Sequence, residues 1–573
     1  MKKTAIQSLA LMLAMLLVLG LLAGCSSTKQ PAETPDNAAQ TDTTTNDQPD
    51  TTTPDDAPAD DTASDENGEW LPLVDEPTHL SMWMGFTDPI DPDAMDPSYN
   101  EPYKIVEEMT GVIIDFNAVS NAAADEQFSL MLVSEDWSDI IAHGYGSWPG
   151  GVPSCIDQGI LMDVSDLITG GYAPHYQALR EADHALECDT MEDDGAIAGF
   201  LRTMPYIQHS WLGLFVSRAL AEEEGFNVDE LVSLSDWEKM LTAFAARDDV
   251  TTAYELNASG KDEMLMSAFN IPSGMNYQVY FRHVGNEVEC SFTSDDYYNY
   301  LKLCKDWMDK GIINPAFYGE SPACFNMDVV ASGDIACFRG MGSQGQMLNA
   351  MNETRDYVAV PSPLADGSTT RKVAQCSGTD SRADDSFYGI SGTCSNPELA
   401  VRWLDFFYSD EAFYVANYGI EGVTYNLVDG EVVYTDLMLN PPDNKSWENM
   451  IYHYGLKWSF PCLYDSNAQF LGQDENTLRA YSDDGFDKYY SFNETDEYTL
   501  PLHLSMTQDE NEKYTSTFSD IETYINEMVV KFLTGNVELN DASWADYKAN
   551  IEKMRIADCE SVLQAAYERY QQR

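Results

Sequence analysis

The sequence predicts an α/β fold spread over more than one lobe. Strand-like and helix-like segments alternate from His79 onward, residues 70–573 follow a low-complexity stretch that ends at Glu69, and amphipathic helices close the chain. Alternation of this kind builds a parallel sheet covered by helices, and the folded part is longer than one ordinary domain.

The elements follow in order. His79–Phe86 reads as a first strand. Asn100 and Pro102 open a helix that turns Ile105, Val106 and Met109 to one side and stops at Gly111. Val112–Phe116 is β-branched and strand-like, and Phe128 with 130–132 and then 139–141 give a further helix and strand, a βαβαβ start. Ser235-x-x-Glu238 has capping-box spacing ahead of Trp237, Met240, Leu241 and Phe244. Residues 296–308 place Tyr297, Tyr300, Leu301, Cys304 and Trp307 on one helical face. Ser395-Asn396-Pro397-Glu398 opens a helix striped by Leu399, Trp403, Phe406 and Phe407, and 411–418 forms the next, stopped by Gly419. Ser519-x-x-Glu522 reads as the cap of the first of three C-terminal helices, whose stripe is Ile521, Ile525, Met528, Val529 and Phe532; Trp544, Tyr547 and Ile551 stripe the second, and Val562, Leu563 and Ala566 the third.

The N-terminus sets the compartment. Lys2 and Lys3 precede an apolar or small run, 9–23, long enough for a signal peptide and short for a spanning helix. It ends Leu22-Ala23-Gly24-Cys25, which resembles the lipobox of bacterial lipoproteins. That resemblance implies cleavage before Cys25 and acyl chains (palmitate among them) on its sulfur, enough for stable anchoring. Residues 26–69 hold twelve acidic residues against one lysine and no aromatic residue, Leu, Ile or Val. Such a segment cannot offset its ordering entropy by burial and repels itself into an extended tether; a spacer is the simpler reading, an adhesive stalk the other.

The whole chain carries a formal charge of −65. This argues against nucleic acid, polyanionic solutes such as alginate, and an anionic leaflet as partners. Ten cysteines remain beside Cys25, widely spaced and without C-x-x-C. Several sit in apolar contexts where Cys behaves as a small hydrophobe, so free thiols are favoured over disulfides, and no spacing suits zinc. Signatures of catalysis fail: H-E-x-x-H, G-x-S-x-G and the Walker A pattern are missing. Gly340–Gly345 matches G-x-G-x-x-G but comes late in the chain, which favours a turn, with a cleft-lining loop as the functional alternative to a dinucleotide site. Asp88, Asp91, Asp93 and Asp96 form an acidic loop, but its prolines and missing glycine turn speak for solvation over Ca²⁺.

From about residue 76 the chain resembles family 1 extracellular solute-binding proteins, in particular their large LplA-like lipoprotein subgroup. The resemblance rests on Glu107–Val112, Ser134–Ile141, Asp163–Ile168, Asp194-Gly195, Ser395–Glu398 with Asp405–Ser409, Asn417–Gly422 and Lys531–Gly535. Some relatives carry a calcium loop where this chain has Asp248–Ala253, so no metal is carried over. The family resemblance implies a two-lobe, type II periplasmic-binding-protein-like fold with a hinge and C-terminal helices. Its parts are a signal peptide (1–24), tether (25–69), first lobe (70–205), second lobe (206–375), a return to the first lobe (376–440), and completion of the second lobe with the C-terminal helices (441–573). It implies a non-enzymatic, monomeric receptor, without cofactor, lipid-anchored on the extracytoplasmic face of the cell membrane. Such a receptor clamps a solute, an oligosaccharide by resemblance, and hands it to the transmembrane subunits of an ABC permease. A surface polysaccharide-binding protein uncoupled from transport and a secreted glycosidase are the rival classes. Sugar recognition needs flat apolar faces and planar polar groups. The candidates are Trp83, Tyr145, Trp148, Trp211, Phe338, Arg339, Tyr418, Glu421 and Trp458.

Overall fold

The computed structural model describes residues 70–573 apart from 87–93, 135, 145–149, 206–209, 274–275, 320–332, 343–348, 351, 353, 374–381, 443–444, 446, 470, 472–474 and 491–497. The signal-like segment, Cys25 and the acidic tether lie outside the described residues, as do Tyr145, Trp148, Asp88, Asp91 and Asp93.

The first lobe is built on a five-stranded sheet in the order β2-β1-β3-β10-β4, with β1 Thr78–Phe86, β2 Val112–Ser120, β3 Ile140–Ala142, β4 Gly199–Thr203 and β10 Ala383–Ile390. β1 runs parallel to β2 and β3, as the βαβαβ start predicts, while β10 lies antiparallel to both β3 and β4. Strand β10 enters from the opposite end because the chain is returning from the second lobe. Both faces are covered: Leu80, Met82 and Met84 of β1 pack into one core and Trp83 into another. Period-two alternation in a sheet covered on both faces buries consecutive residues in mid-strand, here Met82, Trp83 and Met84. The helix Glu101–Thr110 ends where Gly111 takes φ of 71°, a conformation that glycine adopts without a Cβ penalty.

The second lobe holds the sheet β8-β5-β9, with β5 Leu212–Ser217, β8 Cys337–Met341 and β9 Tyr357–Val360, both neighbours antiparallel to β5. A hairpin of β6 Phe281–Val284 and β7 Glu287–Cys290 joins the same core, as do the helices Gln508–Leu533, Asp541–Lys553 and Ile556–Tyr570. Gly213 has no side chain because the Phe486 ring lies against it; an added Cβ would sit 2.0 Å from that ring. The chain passes between lobes after Thr203, before Ala383, and once more beyond the first-lobe residues Leu456, Phe460, Cys462 and Tyr464. Leu456, Phe460, Cys462 and Tyr464, which fall in the 441–573 stretch, pack into the core of the first sheet.

Two helix starts differ from expectation for one physical reason. The 234–245 helix is capped by Ser233 with Asp236, and Ser235 instead bonds Asp366. The first C-terminal helix starts twelve residues earlier than Ser519-x-x-Glu522 suggests, at a capping box of Thr507 and Glu510. Residues three apart share a helix face at a cap and in mid-helix alike, so the S-x-x-E spacing alone does not place the end. Eight cysteines are described, all as free thiols, seven buried and Cys394 half-buried.

Candidate functional site

A cavity of about 880 Å³ lies between the lobes. Its first-lobe wall comes from Gly144, the start of the Gly151–Asp157 helix, the turn Asp189–Glu192, β4 and Phe387. Its second-lobe wall comes from Lys261, the aromatic turn at Tyr277 and Tyr280, the segment 502–506 and the long helix Gln508–Leu533. The helix contributes Asn511, Tyr514, Thr515, Phe518, Ser519 and Glu522. These recur at the helical period, so one face of the helix meets the cavity while Ile521, Ile525, Met528 and Val529 fill the core behind it.

The wall combines rings with polar groups. Tyr514 and Phe518 stack at 5.4 Å with 13° between planes, and Phe518 meets Tyr280 edge-on at 5.0 Å. Lys261 Nζ donates to the Tyr280 hydroxyl at 2.6 Å, and that hydroxyl donates to Glu522 at 2.7 Å. Burial lowers the Lys261 pKa, with Glu522 partly opposing it. Burial raises the Glu192 carboxyl, which accepts from Ser505 of the facing lobe. The Tyr277 hydroxyl holds the 501–504 segment, donating to Pro501 O at 2.6 Å and accepting from Leu504 N at 2.9 Å. His503 Nε2 and Asn511 Oδ1 are buried and have no hydrogen-bond partner among the described residues. An unmet buried polar atom costs about 1–3 kcal/mol; a ligand group that meets it recovers that cost.

The lobes also touch directly beside the cavity. Arg573 donates to Cys188 O at 2.7 Å, to Met191 O at 2.6 Å and to Asp193. Arg569 bonds Asp193 and Glu510, and the Tyr570 hydroxyl donates to Asp189 at 3.0 Å. The last turn of the C-terminal helix is thereby fastened to the first-lobe turn that forms part of the cavity wall.

Comparison with known proteins gives this arrangement its context. No protein-family model matches the sequence. The HMO-binding, ABC-transporter-associated solute-binding protein of Bifidobacterium longum infantis superposes with a TM-score of 0.70 at 14% identity, covering 87% of this chain and 99% of that one. The fold is that of a two-lobed solute-binding protein. FusA of Streptococcus pneumoniae in complex with kestose superposes on the same solute-binding fold with a TM-score of 0.66 at 19% identity, over 86% of this chain and 99% of FusA. The alginate-binding protein AlgQ2 without calcium ion gives 0.66 at 18% identity, over 87% and 99%. In sequence, the fructooligosaccharide ABC transporter substrate-binding protein FusA of S. pneumoniae serotype 4 is 23% identical over 544 residues, 88% of this chain and 92% of that protein.

Within this solute-binding fold the sequence-derived site residues scatter, and none of the seven described ones lines the cavity. Trp83 packs between Phe128 and His143 under a covering helix, so it is a core residue. Phe338 is fully buried and stacked on Phe215 across β5 and β8. Tyr418 is buried among Tyr414, Tyr425 and Tyr434, with its hydroxyl on Asp465. All three rings pack in cores. Arg339 is committed to an ion pair with Glu263, and Glu421 is exposed beside the β-hairpin at 425–434. Trp211, at the start of β5, and Trp458, under the Arg202 guanidinium at 4.9 Å, are half-buried near the passages between lobes. Tyr145 and Trp148 lie outside the described residues, but Gly144 and Gly151 on either side of that stretch both line the cavity. The face at 511–522 was missed because its polar residues read as a solvent-facing stripe. The signal available was aromatic: Tyr514 and Phe518 sit on that otherwise polar side.

Of the Gly340–Gly345 motif, the described part is strand β8 and its end. Gly340 pairs with Gly213 in the sheet, and at Gly342 an added Cβ would lie 2.2 Å from the Tyr481 hydroxyl, so the glycines there serve close packing.

Proposed function

We propose that this protein is the solute-binding subunit of an ABC importer, that it captures an oligosaccharide in the cavity between its lobes, and that it releases the sugar unchanged to the permease. The observation that carries the proposal is the cavity itself. The half-buried Tyr514 ring, backed by the buried Phe518, offers an apolar surface for sugar C–H groups, and a polar fringe at Lys261, His503, Asn511 and Glu522 offers partners for hydroxyls. The name of FusA and its kestose complex supply the carbohydrate class. Solute that touches both walls at once favours the closed arrangement over the open one, and a population shift of this kind is the whole mechanism; no bond is made or broken. The finer reading, an LplA-like lipoprotein held through acylated Cys25 at the extracytoplasmic face and acting as a monomer, rests on the lipobox-like Leu22–Cys25 and the acidic tether.

The test is a thermal-shift and scattering series with kestose and other oligosaccharides. A bound sugar at a hundred times its Kd adds about 2.7 kcal/mol of stability and contracts the particle. Turnover of the sugar, or indifference to all of them, would overturn the proposal. Labelling with radioactive palmitate, lost in Cys25→Ala, tests the anchor.

A further inference from the structure

Two side chains of the cavity wall hold hydrogen-bonding capacity that the described protein does not use. His503 sits in the segment that the Tyr277 hydroxyl pins from both sides, so its ring is placed by the backbone and not by a partner of its own. Asn511 is one turn into the long helix, just past the Thr507–Glu510 capping box that fixes the helix start. It faces the other lobe: a Cβ added to Gly151 would lie 3.7 Å from the Asn511 amide nitrogen. Both residues line the cavity and both have their backbone held in place; each keeps one polar atom that is closed off from solvent and unbonded among the described residues, so a turn of the side chain toward the cavity is what would bring it to a ligand. A group that donates to the amide oxygen and bonds the imidazole would complete both.

The charges around them narrow the class of that group. Asp189, Glu192 and Glu522 line the same cavity. Lys261 is the one lysine or arginine among the described lining residues, and its ammonium is already held by the Tyr280 hydroxyl and lies over that ring at 4.6 Å. A carboxylate- or sulfate-bearing sugar would enter beside three carboxyl groups with no free cation among the described residues to receive it, whereas hydroxyls donate readily to such a wall.

We propose that Asn511 and His503 are the hydrogen-bonding contacts through which the cavity selects an uncharged, hydroxyl-rich oligosaccharide. This rests on the cavity being the solute site. The selection is local, made by the Asn511 amide and the His503 ring among carboxyl groups, and is separate from the chain's overall charge.

The experiment is calorimetric titration of the full chain and of Asn511→Ala, His503→Ala and the isosteric Asn511→Asp with kestose, maltotriose and an alginate trisaccharide, together with melting of each variant without sugar. The expected result is binding of a neutral sugar and not of the alginate trisaccharide, with affinity reduced about 10- to 100-fold in each alanine variant. The sugar-free melting temperature should be equal to or above wild type, because an unmet buried atom has been removed. Weaker binding together with undiminished stability is a combination that a purely structural role does not produce. Asn511→Asp keeps an acceptor and should retain more neutral-sugar binding than Asn511→Ala. Affinities within threefold of wild type in both alanine variants overturn the contact assignment, and preference for the alginate trisaccharide overturns the uncharged class. If wild type binds no sugar at all, the transport reading itself falls, which is a separate outcome.

Discussion

Arg573→Ala should weaken solute binding although Arg573 is not among the cavity-lining residues. Its side chain, 5% exposed, donates to two first-lobe carbonyls and to Asp193. Charge-assisted hydrogen bonds contribute about 1.5–3 kcal/mol each. The carbonyls of Cys188 and Met191 can return to water, and Asp193 keeps Arg569, so the net loss is put at about 2–4 kcal/mol. These bonds join the two lobes and are lost when the lobes part, so the loss falls on the closed form. Affinity for a bound sugar should then drop by about 30- to 1,000-fold, and the sugar-free particle should give a larger radius of gyration by solution scattering. Titration calorimetry and scattering on the same samples decide the matter. If affinity stays within twofold of wild type while urea unfolding shows the full stability loss, the contact persists in the open form and acts as a pivot, and the reasoning fails.

Four further outcomes follow from the same geometry. Tyr514→Ala removes a stacking face from the cavity and should weaken sugar binding by about 1–2 kcal/mol in calorimetry, whereas Trp83→Ala empties a core site and should cost about 3–5 kcal/mol of stability in urea unfolding. Burial holds the Glu192 carboxyl above its ordinary 4.5, so the folded state binds more protons than the unfolded one in that window. Stability relative to Glu192→Gln should fall as pH rises from about 4.5 through the folded-state pKa, and a flat difference between the two melting curves would refute it. Lys457 is fully buried over Trp458 and Tyr464, its amine unbonded among the described residues, and burial lowers its pKa to about 8. The unfolded state therefore binds more protons between about 8 and 10.5, and wild type should gain about 3 kcal/mol over that span relative to Lys457→Met, read by chemical denaturation at each pH.

Much of the fold could be read because burial leaves a period in the sequence. Ile140 and Ile141 of β3 point to opposite covered faces, so a short unbroken apolar run announced a central strand. Leu399, Trp403 and Phe406 announced a helix by their spacing and Pro397 its first turn, although the cap is Asn396 and not the Ser395 of a Ser395-x-x-Glu398 box. The pairings that depend on a distant partner left no such trace. Nothing local to 383–390 says that it enters the first sheet antiparallel between β3 and β4; that follows from the direction in which the chain returns from the other lobe.

The site was harder to read than the fold for a reason that the cavity makes plain. A residue facing a wet cleft between lobes has the same polarity as one facing bulk water, so Asn511, Thr515, Ser519 and Glu522 look like the outside of any amphipathic helix. The largest aromatic residues, by contrast, are retained in cores wherever a sheet is covered on both sides, which is where Trp83 and Phe338 went. A search for sugar-stacking rings by size and local hydrophobicity therefore selects core residues first. The better criterion is the exception on a polar face. Tyr514 and Phe518 are one helical turn apart on the side of the helix that also carries Asn511 and Ser519, and rings at those positions either pack against a neighbouring lobe or meet a ligand. Here they pack on Tyr280 and Phe281 of their own lobe, and Tyr514 keeps a side toward the cavity.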